Sequence, residues 1–288
     1  MKTKSAAQLS LLLVLLMTLV SSCVKDPVDK VPDRELFIET DASYGPDSRQ
    51  RMTVALPEGR DEKTPIVILI HGGAWIAGDK TDLAGMQQVL LQNQIGSISI
   101  NYRFVSENHH FEGLMEDVGL ALAAVKANAE EWGIRTTHYQ LLGASAGAHM
   151  ALLYAYGFQR ENEVSAVISV AGPTAFPDEF LAVAALGPLK VPIEAMAGAP
   201  IATPYSPRFS AAGPISYLTD AVPTLLIHGT ADTTVPYALS TALEEALENN
   251  GKTVQLITLD GVGHDFLVDP TAVSEVVNHA LAWINTYE

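Results

Sequence analysis

The run Leu142-Gly143-Ala144-Ser145-Ala146-Gly147-Ala148-His149 constrains the fold more than any other stretch of this chain. Before it, Thr137 to Leu142 (THYQLL) reads as a short strand, and after it Ala146 to Tyr156 (AGAHMALLYAY) reads as an apolar helix. With nothing between them to form a loop, the strand must turn sharply into the helix at Ser145, straining the serine's backbone and exposing its hydroxyl. A Cβ at Gly143 or Gly147 would crowd that turn. Taken alone, a G-x-S-x-G match arises by chance and its serine would cap an ordinary helix. The strand before it and the helix after it decide for a nucleophile elbow.

The remaining elements extend the same alternation. Strands are expected near Leu36–Asp41 and Arg51–Leu56, as an antiparallel pair, and at Ile66–Ile70, whose continuous apolar run (IVILI) suits a strand buried on both faces. A helix near Asp82–Asn93 and a strand at Ser97–Tyr102 follow. Residues Glu112–Glu131 are periodic for a helix, with Leu114, Val118, Leu122 and Val125 on one face. Val164–Val170 is another buried strand, and Thr224–His228 and Val254–Leu259 are two more, separated by a helix at Ala238–Asn249; a helix near Ala272–Ile284 closes the chain. Strands and helices at this spacing predict an α/β fold with a mostly parallel central sheet covered by helices on both faces. There is no internal repeat and no sign of a second full domain.

One segment breaks the alternation. Between Pro173 and Pro214 lie eight of the sixteen prolines, together with Phe176, Phe180, Tyr205 and Phe209. Prolines at that density exclude long helices and central strands. The expectation is a Pro-rich lid insertion, about residues 174–213, beside the functional site; the alternative is a surface excursion packed on the sheet edge.

The N-terminal residues read as a targeting segment. Lys2 and Lys4 form a basic start, and Leu9 to Val20 is a leucine-rich run short for a membrane span but suited to a signal-peptide core. Val20-Ser21-Ser22-Cys23 resembles the lipobox of bacterial lipoproteins, whose cysteine becomes the acylated first residue of the mature chain. The expected organisation is a signal peptide over 1–22, a lipidated Cys23 with a polar, proline-bearing linker over 23–34, and one domain over 35–288. The implied location is extracytoplasmic, anchored by lipid to a bacterial membrane, periplasmic or at the cell surface. Cys23 is the only cysteine, so an intramolecular disulfide is excluded. The formal charge of −16 argues against nucleic acid and against charge-driven binding to anionic headgroups, and suits a domain acting on neutral substrates.

Chemistry is carried by three loops, each following an expected strand, where open α/β sheets place their sites. A serine nucleophile needs a base, the base needs a carboxylate to orient it, and a tetrahedral intermediate needs hydrogen-bond donors. His264, in Asp260-Gly261-Val262-Gly263-His264-Asp265-Phe266, is the candidate base, on a loop whose glycines let the imidazole reach across the sheet. Asp232, in His228-Gly229-Thr230-Ala231-Asp232, is the candidate carboxylate, and the order Ser145, Asp232, His264 is that of α/β-hydrolases. Asp260 and Asp265 compete for the role but lie close to His264 in sequence, which usually points a side chain elsewhere. His71-Gly72-Gly73-Ala74-Trp75 is the third loop: its glycines let backbone amides face a cavity, so Gly73, Ala74 and Ala146 can donate to an oxyanion. His149 is expected to pack or hydrogen-bond on the elbow helix. His109 and His110 form a polar loop pair without a clear partner, placed near the site mouth.

Together these residues resemble the α/β-hydrolase carboxylesterases of the hormone-sensitive-lipase-like kind, and most closely the branch of bifunctional feruloyl and acetyl-xylan esterases. The resemblance spans about Pro65 to Trp283 and rests on HGGAWIAGDK (His71–Lys80), NYR (Asn101–Arg103), GASAGAHMA (Gly143–Ala151), GPISYL (Gly213–Leu218), HGTADTTVP (His228–Pro236) and GVGHDF (Gly261–Phe266). It implies Ser145 as nucleophile, His264 as general base and acid, Asp232 as its partner, and Gly73, Ala74 and Ala146 as oxyanion donors. Two departures stand out: Ala74 where many relatives carry a third glycine, and Ala148 where many carry another. The family implies no metal and no organic cofactor, and the sequence contains no cluster of metal-ligand residues.

The expected activity is that of a serine esterase, forming an acyl-enzyme on Ser145 and releasing short acyl groups, acetyl or feruloyl, from plant polysaccharide. The partner is then a small ester or an acylated oligosaccharide, with membrane contact through the lipid anchor alone. Arylformamidases and small serine peptidases share the machinery and remain open as alternatives. So does a glycan-binding lipoprotein that has given up catalysis, although such retirement usually removes one of the three residues, and all three are present.

Overall fold

The computed structural model describes residues 34–160 and 162–288. The expected signal peptide, Cys23 and the linker up to residue 33 lie outside the described residues. Among those described, no helix is long and apolar enough to cross a membrane.

The strands are β1 (Phe37–Ser43), β2 (Arg51–Leu56), β3 (Ile66–Ile70), β4 (Gly96–Ile100), β5 (Tyr139–Ala144), β6 (Val164–Val170), β7 (Thr224–Gly229) and β8 (Val254–Leu259). They form one sheet in the order β1-β2-β4-β3-β5-β6-β7-β8. β2 pairs antiparallel with both β1 and β4, and every pairing from β4 onward to β8 is parallel. The helices are α1 (Ala84–Gln92), α2 (Phe111–Trp132), α3 (Ala146–Leu153), α4 (Asp178–Ala184), α5 (Lys190–Ala197), α6 (Pro207–Ala211), α7 (Ala238–Asn249) and α8 (Pro270–Thr286).

Alternation along β3 shows how the core is divided. Ile66, Ile68 and Ile70 join one apolar cluster with Leu114, Val118, Leu122 and Val125 of α2 and Leu243 and Leu247 of α7. Val67 and Leu69 join a second with Leu90 of α1 and Val276, Ala280 and Ile284 of α8. Side chains of a strand point to opposite faces in turn, so a strand apolar at every position must be covered on both. All five β3 residues are fully buried, each contributing about 1.5–3 kcal/mol by leaving water. α3 lies at the centre of this packing, with all eight of its residues buried.

The structure corrects several expected boundaries. The helix expected from Asp82 begins instead as a 3₁₀ turn, Lys80–Leu83, whose Asp79 cap accepts from Thr81 N–H; regular helix starts at Ala84. The strand expected from Thr137 starts at Tyr139, because His138 takes a positive φ of 61° that an extended chain excludes. The elbow helix ends at Leu153 and continues as a π-turn over Tyr154–Phe158, where Gly157 leaves room for the Tyr217 ring. β8 is not a buried strand: it pairs only with β7 at the sheet edge, and most of its side chains are partly or fully exposed.

Residues 173–214 contain α4, α5 and α6 and no strand. Its prolines sit where helices tolerate them: Pro177 caps α4, Pro192 lies in the first turn of α5 and Pro207 opens α6.

Candidate active site

Parallel pairing of β3, β5, β6, β7 and β8 brings the loops that follow β3, β5, β7 and β8 to the same edge of the sheet. The loop after β5 is a single residue. Ser145 has φ 52° and ψ −121°, a conformation that costs a non-glycine residue about 1–3 kcal/mol. It is pinned from both sides: its N–H donates to the Val170 carbonyl at 2.8 Å, and its carbonyl accepts from His149 N–H at 3.1 Å, opening α3. The approach of α3 to the sheet permits no side chain. A Cβ on Gly147 would lie 2.1 Å from the Ile70 carbonyl oxygen, and one on Gly143 2.3 Å from the backbone of Gly147.

The structure brings Ser145, His264 and Asp232 together. Ser145 Oγ lies 2.9 Å from His264 Nε2, and His264 Nδ1 lies 2.7 Å from Asp232 Oδ2. A carboxylate only accepts, so Nδ1 carries the proton and Nε2 is left to accept from the serine hydroxyl. Asp232 is buried and its other oxygen accepts from the N–H groups of Thr234 and Val235, both at 2.8 Å. Burial by itself would push this carboxyl up. Hydrogen bonds from His228, His264 and the Val235 amide outweigh that and hold it well below the usual carboxylate range, so Asp232 is ionised at neutral pH. The competing carboxylates do not bond His264: Asp260 accepts from the Thr230 hydroxyl, and Asp265 is exposed at the cavity edge.

The loop after β3 runs through three successive positive φ values, 111° at Gly73, 49° at Ala74 and 61° at Trp75. The turn is closed by the Gly73 carbonyl, which accepts from Ile76 and Ala77 N–H, both at 3.0 Å. Gly73 and Ala74 donate to no other group among the described residues, and Ala146, first in α3, has no partner within its helix. All three border the cavity that holds Ser145.

Two anchors hold this loop. The His71 ring stacks on Tyr102 at 4.4 Å, and its Nδ1 lies 2.6 Å from the Gly72 carbonyl. Trp75 Nε1–H donates to His149 Nδ1 at 3.2 Å, and His149 Nε2–H donates to the Ala212 carbonyl at 2.8 Å. His149 thus ties the β3 loop, α3 and the 173–214 segment to one fully buried ring, and burial lowers its pKa to about 4. His109 and His110 do not border the cavity; His110 Nδ1 instead donates to the Ala195 carbonyl in α5 at 2.8 Å.

The cavity measures about 760 Å³. Its apolar wall includes Trp75, Ile76 and Leu83 from one side, Phe180, Leu189 and Ile193 from the 173–214 segment, and Val235 and Leu267 from another. Among the described residues, Asp82 and Asp265 are the carboxylates that border it, and no lysine or arginine does. A larger hollow, about 980 Å³, lies around residues 133–138 at the opposite, N-terminal end of β5 and contains none of these groups. Among the described residues, no group of three or more His, Cys, Asp or Glu could hold a metal ion.

Such an arrangement can take the proton from a serine hydroxyl as its oxygen attacks an electrophilic carbon, and can present backbone donors to the oxygen that becomes negative. Sequence reasoning named Phe180 in the segment expected beside the site, but it missed the apolar contributions of Leu189 and Ile193 and missed His228 beside Asp232. Leu189 and Ile193 had no periodic signal, and the four-residue spacing of His228 and Asp232 marks neighbours only on a helix, whereas His228 stands near the end of a strand and Asp232 lies in the turn after it.

Known proteins resemble this chain in the same terms. The BD-FAE family model matches residues 52–247. The chain is 28% identical over 246 residues to a probable isoprenylcysteine alpha-carbonyl methylesterase of Oryza sativa subsp. japonica, covering 79% of this chain and 57% of that protein. It is 28% identical over 270 residues to the esterase LipQ of Mycobacterium tuberculosis, covering 87% of this chain and 63% of that one. The chain therefore spans about three fifths of the length of these curated relatives. A truncated carbohydrate esterase from gut microbiota superimposes with a TM-score of 0.69 at 21% identity, covering 88% of this chain and 98% of that one, and shares its fold.

Proposed function

The chain belongs to the BD-FAE family of α/β-hydrolase fold, and from that premise we propose that it is a serine carboxylesterase that works through an acyl-enzyme on Ser145. The observation that carries this reading is the unbroken hydrogen-bonded line from Ser145 Oγ through His264 to Asp232 at the wall of an apolar cavity. Ser145 Oγ attacks the ester carbonyl carbon while His264 Nε2 takes its proton. Asp232, ionised and buried, stabilises the imidazolium that results. The N–H groups of Gly73, Ala74 and Ala146 receive the negative oxygen of the tetrahedral intermediate, a type of contribution worth about 3–4 kcal/mol per donor in the barrier. Collapse expels the alcohol, which His264 protonates. Water then gives a proton to His264 as it attacks the acyl-enzyme, and collapse returns that proton to Ser145 Oγ as the acid leaves.

The substrates we propose are short acyl esters, acetyl or feruloyl groups on plant polysaccharide. The family match and the carbohydrate esterase that shares this fold support this, as does a cavity whose apolar wall would bury an acyl group. The same proposal places the enzyme outside the cytoplasm, held to a bacterial membrane by a lipid on Cys23, a reading supported by the sequence Val20-Ser21-Ser22-Cys23.

Acetate release from acetylated xylan fragments, with Ser145→Ala as control, tests both levels. Release by the wild type that falls by about 10³-fold or more in the variant supports the whole reading. Cleavage of simple acetyl esters without release from xylan would keep the serine mechanism and remove the polysaccharide. Undiminished activity in Ser145→Ala would remove the mechanism.

A further inference from the structure

One buried titratable side chain beside the site has no part in the mechanism above. His228, on β7, is 1% exposed. Its Nε2 lies 3.1 Å from Asp232 Oδ2, the same oxygen that accepts from His264, and 2.9 Å from the Val235 carbonyl. Both neighbours are acceptors, so Nε2 carries a proton whatever the state of the rest of the ring. On the other side, Nδ1 lies 2.7 Å from the hydroxyl of Ser240, a buried residue in the first turn of α7. The Tyr237 ring closes edge-on against the imidazole, with centroids 5.9 Å apart. Among the described residues, the titratable side chains against the ring are thus Asp232 and Tyr237.

We propose that His228, oriented by Ser240, is a positioning residue that holds the Asp232 carboxylate in register with His264, extending the triad to a line of five side chains: Ser240, His228, Asp232, His264 and Ser145.

The physical argument is one of geometry. The amides of Thr234 and Val235 hold only Oδ1, so they resist rotation about Cβ–Cγ from one end of the carboxylate. Oδ2 is the oxygen that must meet His264 Nδ1–H, and His228 supplies the one further donor to it among the described residues. A donor held by β7 on one side and α7 on the other locks that rotation, so the Asp232–His264 bond is formed before substrate arrives. Hydrogen bonds to a charged acceptor are among the stronger ones, and Asp232 is ionised. His228 does not border the cavity, so its effect should reach substrate only through Asp232.

For its role in turnover this inference rests on the esterase reading. The test compares His228→Leu, which removes the donor, with His228→Gln, whose side-chain amide can still donate toward Oδ2. Steady-state hydrolysis of p-nitrophenyl acetate should show kcat reduced about ten- to a hundredfold in His228→Leu, with KM little changed, and largely recovered in His228→Gln. In the substrate-free protein, the low-field proton NMR resonance of His264 Nδ1–H should move in the leucine variant and return in the glutamine variant. A folded His228→Leu with wild-type kcat and an unmoved resonance would reduce His228 to a core residue, as would a glutamine variant no better than leucine. If His228→Leu does not fold, Ser240→Ala decides: a displaced resonance supports the proposal and an unaltered one overturns it. Should the wild type hydrolyse no ester, the esterase reading fails, while the resonance still reports whether His228 holds Asp232 against His264.

Discussion

At the position of Ala74 the backbone has φ 49°, in the left-handed region that a side chain resists and glycine does not. The loop accepts the alanine because its anchors at His71 and Trp75 over-determine its path. Left-handed backbone costs an alanine about 1–2 kcal/mol, and glycine returns part of that through the entropy of the unfolded chain. Ala74→Gly should therefore raise stability by about 1 kcal/mol in urea denaturation. Because the donor we assign there is a backbone N–H, ester hydrolysis should persist in that variant. Ser145 is strained for a different reason: its φ of 52° is what lets one residue reverse a strand into a helix while leaving the hydroxyl free.

Between residues and the whole molecule, α3 is the element on which the site turns. It begins at Ser145, the nucleophile we propose, is buried along its entire length, and carries His149, which reaches the β3 loop and the 173–214 segment together. Its approach to the sheet is close enough that Gly147 faces the Ile70 carbonyl directly. Gly147→Ala has nowhere to put its methyl group, since a backbone oxygen rather than a flexible side chain stands 2.1 Å away. We expect it to cost about 3 kcal/mol or more, measured by denaturant midpoint, and to lower activity further than stability by displacing Ser145.

For the molecule as a whole, the buried ionisable groups set the response to acid. His149 has an ordinary value of 6.5 and is lowered to about 4 in the folded protein by burial. A base depressed in this way adds stability above its unfolded pKa and loses it as pH falls toward the folded one. The loss should begin below pH 6.5 and amount to about 3 kcal/mol by pH 4. Asp232 and Asp79 are also depressed in the fold, so their contributions are lost in turn at lower pH, below the ordinary carboxylate range. The fall in Tm between pH 6.5 and 4 should therefore shrink in His149→Gln, measured against the same variant's own Tm at pH 7.5, while the steeper fall below pH 4 remains.

Periodicity alone determined that this chain is an α/β protein with a mostly parallel sheet, because strands apolar at every position can be buried only between two layers of helices. Local pattern also picked out Ser145, Asp232 and His264, each in a short motif after an expected strand, and the strained turn at Gly143–Gly147, because these depend on residue type and spacing within a few positions. Tertiary structure decided the rest. That β8 is an exposed edge, that Phe180, Leu189 and Ile193 wall the cavity, and that His149 joins the β3 loop to the 173–214 segment all depend on contacts between residues far apart in the chain. Those contacts arise from how the sheet orders its strands and how the helices pack on it. No window along the sequence contains both partners of such a contact, so no pattern within a window can reveal it.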